Sequence, residues 1–128
     1  MRLLIDTHIF IWYVMDIRKI SARVRALIDD EDNDILLSTA SIWEMAIKHS
    51  KGKLSFSLPF EIFITQQLSL NNFNLLDIKI NHIDVIAALP FHHRDPFYRL
   101  LIAQSMVERI PILSADSAFD AYPITRLW

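Results

Sequence analysis

Four carboxylates stand at the ends of apolar runs in this sequence, and together they raise a question of metal chemistry. Asp6 directly follows Arg2–Ile5, and Asp116 follows Ile-Pro-Ile-Leu-Ser-Ala. Glu44 lies one turn into a helical stretch that begins where another apolar run ends. Asp95 opens a long amphipathic stretch at His92-His93-Arg94-Asp95-Pro96-Phe97. Acids gathered at one place repel and raise one another's pKa values. A hard divalent cation, Mg²⁺ or Mn²⁺, relieves that repulsion through carboxylate and water oxygens. Such an ion lowers the pKa of a water and clamps a phosphate, which suits phosphodiester hydrolysis.

Each acid also has an ordinary reading. Asp6 after a strand caps the following helix. Ser41-Ile-Trp-Glu44 matches a capping box, in which Glu44 serves only a backbone N–H. Asp95-Pro96 is a helix start with Asp as N-cap and Pro at the first position. Asp116 initiates a turn. Taken singly the ordinary readings are the commoner ones, and only the joint placement of the four argues for a site. The neighbours divide the same way. His92 and His93, being adjacent, share no face of a regular element and read as a loop rather than a chelate. His8, His49 and His82 read as helix or turn residues. Lys48, Lys51 and Lys53 form either a strip for RNA phosphates or a solvated helix end. Trp12, Trp43 and Trp128 read as core or interface residues, because no basic residue interleaves with them to suggest base stacking.

The elements that must position these acids alternate along the chain. Arg2–Ile5 reads as a strand, Ile9–Met15 as a helix, and Ser21–Glu31 as a second helix capped by Ser21. Ile35–Leu37 is a strand, Thr39–His49 a helix, and Pro59–Leu70 a helix with proline in its first turn. Leu75–Ile80 alternates as a strand does, with Asn81 then capping a helix to Leu89 that stops before Pro90. Pro96–Arg109 is a long helix, Ile110–Leu113 a strand, and Ile124–Leu127 closes the chain. This order predicts an α/β fold with a parallel sheet covered by helices on both faces. In such sheets ligands bind beyond the carboxyl ends of the strands, so acids placed there should converge.

Composition narrows the function. The 128 residues are 52% apolar and 22% charged, which fits one globular domain over 1–128. With Gly52 as the only glycine, neither a P-loop nor a dinucleotide-binding loop can be built. The absence of cysteine removes thiol nucleophiles, thiolate metal sites and disulfides, and agrees with a cytoplasmic home. No run is long and apolar enough to span a bilayer, and Asp6 interrupts the opening stretch too early for a signal peptide. A net charge of −2 means that nucleic acid would have to be met by a local basic patch or a metal.

The acids sit inside longer motifs that resemble those of a known family. Leu3-Leu4-Ile5-Asp6-Thr7-His8 resembles the opening motif of PIN-domain ribonucleases. Leu37 to Lys48, around Glu44, resembles their second motif, His93 to Gln104 their third, and Leu113-Ser114-Ala115-Asp116-Ser117-Ala118-Phe119 their fourth. Order and spacing hold over the whole chain, and the closing Leu127-Trp128 fits a VapC-like branch. The resemblance implies a three-layer α/β/α sandwich. It also implies a Mg²⁺- or Mn²⁺-dependent endoribonuclease toxin that cuts structured RNA such as tRNA, is neutralised by a small antitoxin, and forms a homodimer. Asp6, Glu44 and Asp116 would be metal-site acids.

One position departs from the family pattern. An acid usually follows Asp-Pro-Phe directly, and here that residue is Tyr98. A phenol is neutral near pH 7 and much bulkier than a carboxylate. Either Asp95 takes over the role or the activity is weakened. The expected site is therefore Asp6, Glu44, Asp95 and Asp116 around one or two ions, with Thr7, Ser114, Lys48 and Arg99 orienting acids or meeting phosphate. Three rivals remain: an inactive module that holds antitoxin or RNA, an aspartyl phosphotransferase, and a structural domain whose acids are all caps. A haloacid-dehalogenase-like phosphotransferase expects a second acid where His8 stands.

Overall fold

A computed structural model describes residues 1–128. Five strands form one parallel sheet in the order β3-β2-β1-β4-β5. They are β1 (Arg2–Ile5), β2 (Asp34–Ser38), β3 (Asn74–Leu76), β4 (Ile112–Leu113) and β5 (Arg126–Leu127). Six α-helices connect and cover them: α1 (Thr7–Met15), α2 (Ala22–Asp29), α3 (Thr39–Ser50), α4 (Phe60–Leu70), α5 (Ile80–Ala88) and α6 (Pro96–Glu108). The expected α/β/α sandwich is the observed fold.

The layering follows from the two-residue period of the strands, because successive side chains leave opposite faces. Leu3, Ile5, Ile35, Leu37 and Leu113 enter one core with Ile9 and Phe10 of α1, Val24 and Ile28 of α2, Met45 of α3 and Ile64 of α4. Leu4, Leu36, Leu76 and Ile112 enter the other with Leu101 and Ile102 of α6. A sheet buried on both faces explains why its strands read as continuous apolar runs.

Local sequence sets most boundaries. Asp6 caps α1 through the Ile9 N–H at 2.7 Å, so the helix starts at Thr7, earlier than periodicity alone suggests. Ser21 caps α2 as expected. Three assignments need correction. The Ser41–Glu44 capping box does not form, because α3 starts at Thr39 and Ser38 caps it. The strand read over Leu75–Ile80 ends at Leu76, and Ile80, 87% exposed, already belongs to α5. The N-cap of α5 is Lys79 rather than Asn81; its N–H donates to Nδ1 of the buried His82 at 3.0 Å. The apolar alternation past Leu76 therefore lies at the surface.

Candidate active site

The carboxyl ends of β1, β2 and β4, together with the start of α6, surround a cavity of about 200 Å³. Asp6, Glu44, Asp95 and Asp116 all line it, beside Thr7, His8, His93, Tyr98, Leu101 and Phe119. Cap and cavity turn out to be compatible roles. Asp6 caps α1, Asp95 accepts the Phe97 and Tyr98 N–H groups at 2.9 and 3.2 Å, and Asp116 accepts the Ala118 N–H at 3.0 Å. A carboxylate has two oxygens and several lone pairs, so a cap leaves capacity for a second partner.

The acids differ in environment. Asp6 is 6% exposed, and burial raises its pKa; the Ser114 hydroxyl, the Ile9 N–H and the His8 charge oppose the rise, while the Asp116 charge adds to it. Ser114 is fully buried, and its hydroxyl also accepts the Asp116 N–H at 3.0 Å, so it ties the two acids together. Glu44 is half-buried. Thr7 Oγ1 lies 2.7 Å from Glu44 Oε1 and 2.9 Å from the hydroxyl of buried Ser41. With one proton per hydroxyl, the satisfied pattern has Ser41 donating to Thr7 and Thr7 donating to Glu44. Lys48 meets Oε2 of Glu44 at 3.3 Å. Asp95 and Asp116 face solvent.

Tyr98 lies within this cavity rather than beside it. Its ring is stacked between His93 and Phe119, with centroids 3.9 and 3.8 Å away and planes within 6° and 11°. The hydroxyl is buried without a well-aligned hydrogen bond. Burial, and then the nearby charges of Asp116 and Asp6, push its pKa far above the ordinary phenol value. A neutral ring thus fills space among the acids.

The geometry also sorts the accessory residues. Thr7 hydrogen-bonds Glu44, and Ser114 hydrogen-bonds Asp6. Lys48 is tied to Glu44 rather than free for a phosphate. Arg99 is turned away from the cavity: it is 5% exposed, and its guanidinium donates to the carbonyls of Ile86, Leu89, Pro90 and His93. Three of these carbonyls, those of Leu89, Pro90 and His93, lie in the run between α5 and α6, where Pro90 also accepts the Tyr122 hydroxyl. His8 and His93 also line the cavity, and Ser41 reaches it through Thr7. Ser41 shares the buried face of α3 with Met45, and that spacing is the one signal that could have found it.

No three His, Asp or Glu side chains stand close enough here to enclose one ion. The donor chemistry nevertheless suits Mg²⁺ or Mn²⁺. Mg²⁺ takes oxygen ligands and is commonly held by one or two carboxylates, with water and a substrate phosphate completing its shell. Asp6 and Asp116, which both line the cavity, would be such a pair.

Comparison with known proteins supplies a family and a set of shared folds. A family model for the PIN domain matches residues 3–124. The fold is similar to that of VapBC2 from Rickettsia felis bound to a promoter DNA fragment, with TM-score 0.74 and 14% identity over 100% of this chain and 99% of that one. It is similar to FitAcB from Neisseria gonorrhoeae, with TM-score 0.71 and 15% identity over 98% and 96%. It also resembles a toxin–antitoxin complex from Klebsiella pneumoniae, with TM-score 0.64 and 16% identity over 98% and 96%. No curated protein sequence matches significantly.

Proposed function

The chain belongs to the PIN-domain family, and from that premise we propose that it is a VapC-type toxin: a Mg²⁺- or Mn²⁺-dependent endoribonuclease, attenuated by Tyr98 and held in check by a small antitoxin chain. The observation that carries this reading is the meeting of Asp6, Glu44, Asp95 and Asp116 around one cavity at the carboxyl edge of the sheet. The antitoxin part is supported by the structure of like fold from Klebsiella pneumoniae, which is a toxin–antitoxin complex. A homodimer and a tRNA-like substrate belong to the same reading.

Asp6 and Asp116 would hold the ion, and Glu44 and Asp95 would add negative charge around it. Bound there, the metal would neutralise the phosphate and make a water a better nucleophile. The protein's own residues do the positioning. Ile9 and Ser114 fix Asp6, and the Ser41–Thr7 chain fixes Glu44. Glu44 would accept a proton from the attacking water, within reach of the hydroxyl chain that steadies it. Tyr98 supplies no charge at any pH near neutrality and occupies room that a shorter carboxylate would leave open.

The test is metal-dependent cleavage of RNA by this chain and by Asp6→Asn. The expected result is slow cleavage that a chelator stops and that Asp6→Asn abolishes. Equal cleavage by the two chains would sink the reading. Tyr98 also favours a second one, in which the site is dead and the domain only binds antitoxin or RNA. RNA binding with no cleavage under any divalent ion would select it.

A further inference from the structure

A buried hydroxyl joins the segments that carry Asp95 and Asp116. Asp116 opens a 3₁₀ turn, Ser117–Ala121, with its carboxylate, and Tyr122 closes the same turn with its N–H, which donates to the Phe119 carbonyl at 3.1 Å. The two residues are the ends of one short element. That element is pinned to the sheet: Asp120 accepts from the Arg126 guanidinium at 2.9 and 3.0 Å, and Arg126 donates to the Ser114 carbonyl at 3.1 Å. Tyr122 is 4% exposed. Its hydroxyl accepts the His93 N–H at 2.9 Å and donates to the Pro90 carbonyl at 2.9 Å. Arg99 also serves the Pro90 carbonyl, so the group that depends on Tyr122 is the His93 N–H, which has no other partner. The His93 ring in turn accepts the Asp95 N–H at Nδ1, 3.1 Å away. Phe119 of the same turn stacks on Tyr98, but a hydrogen bond is the more directional contact, weakening steeply when misaligned.

We propose that Tyr122 is a positioning residue for the acid site: its hydroxyl sets where Asp95 stands relative to Asp116, and so how firmly the acids hold a divalent cation. The proposal rests on the metal site of the ribonuclease reading and adds a residue from outside the cavity wall. Groups behind a metal site that orient its acids govern its affinity nearly as the acids themselves do. The Tyr122 ring also belongs to the core beneath α6, and a purely structural role differs in what the hydroxyl does. A ring that only fills the core is replaced by phenylalanine without effect on the site. A hydroxyl that places Asp95 acts through that acid, so its effect disappears once the acid's charge is gone.

The experiment measures Mn²⁺ affinity, from the spin-resonance signal of the free ion, in a double-mutant cycle of Tyr122→Phe and Asp95→Asn. Asparagine still caps α6. Tyr122→Phe should bind Mn²⁺ about tenfold more weakly than the parent, as loss of an orienting contact does. In the Asp95→Asn chain the same substitution should change affinity less than about twofold. Equal weakening in both backgrounds, or none in the parent, overturns the positioning role and leaves the metal site standing. A parent that binds no Mn²⁺ overturns both. A second measurement needs no variant, so a folding defect cannot imitate its result. Coupling is reciprocal: if the bridge favours the ion, the ion favours the bridge. Hydrogen exchange at the His93 amide should slow about tenfold in saturating Mg²⁺, while the Asn33 amide, held in a turn at the opposite edge of the sheet, is unmoved. A His93 rate indifferent to Mg²⁺, or one that moves only as Asn33 does, overturns the proposal.

Discussion

At the scale of single residues, the site is a set of helix caps with spare capacity. Asp6 illustrates the cost. It is buried at the end of β1, and its pKa is raised chiefly by that burial. A raised carboxylate pKa means the folded state holds the proton to higher pH than the unfolded chain does. Stability therefore falls as pH rises from the ordinary value of 3.8 through the raised one, and the deficit persists at neutrality. Asn caps helices as well as Asp does. Asp6→Asn is thus expected to melt at a higher temperature than the parent at pH 7, with the difference shrinking below about pH 4. Mg²⁺ should raise the melting temperature of the parent and not of Asp6→Asn. The Thr7 hydroxyl makes the opposite prediction. Thr7→Val keeps the shape, but leaves the buried Ser41 and Glu44 short of a partner, at a cost of about 1–3 kcal/mol. In a Tyr98→Asp background the same change should slow RNA cleavage about 10- to 100-fold, as loss of an orienting contact does. The acids were legible because strand ends and helix starts are marked in sequence. The Ser41–Thr7 chain was not, since Ser41 and Glu44 matched a capping box until the helix start at Thr39 ruled it out.

At the scale of elements, the connection between α5 and α6 shows how a polar sequence can be misread. Arg99, set in a motif rich in site residues, reads as a phosphate ligand. Instead it spans the carbonyls of Ile86, Leu89, Pro90 and His93, and its guanidinium lies 4.1 Å from the Phe91 ring centre. It acts as the C-terminal cap of α5 and the brace of the loop carrying His93 and Asp95. Lysine has one donor centre and cannot serve carbonyls spread over that arc. Arg99→Lys should cost about 2–4 kcal/mol, more than one buried carbonyl left bare, and should be seen in chemical denaturation. An unchanged midpoint would contradict the brace. Element order and type were readable from period and punctuation. The end of β3 was not, because Ile78 and Ile80 continue its alternation while lying at the surface. Tertiary placement, which the sequence pattern does not contain, decides whether such apolar residues are buried.

At the scale of the whole molecule, strand order creates the site. β1 lies between β2 and β4, so Asp6, the β2–α3 junction and Asp116 meet although they are far apart in sequence. The parallel sheet could be anticipated from the strand–helix alternation, and so could convergence at its carboxyl edge. With net charge −2 and no Lys or Arg in the cavity wall, RNA affinity should depend on divalent ion more than on monovalent salt. Raising KCl from about 50 to about 200 mM should weaken single-strand binding only about three- to sevenfold, as for one or two phosphate contacts, whereas a chelator should abolish it. The central claim is that the acids form one metal-dependent ribonuclease site blunted by Tyr98. Its most direct test is the rate of RNA cleavage in Mg²⁺ or Mn²⁺ by this chain beside Tyr98→Asp. The account predicts cleavage by both, about 10- to 100-fold faster for Tyr98→Asp, and none with a chelator. A Tyr98→Asp chain that binds RNA but cuts no faster than the parent would contradict it.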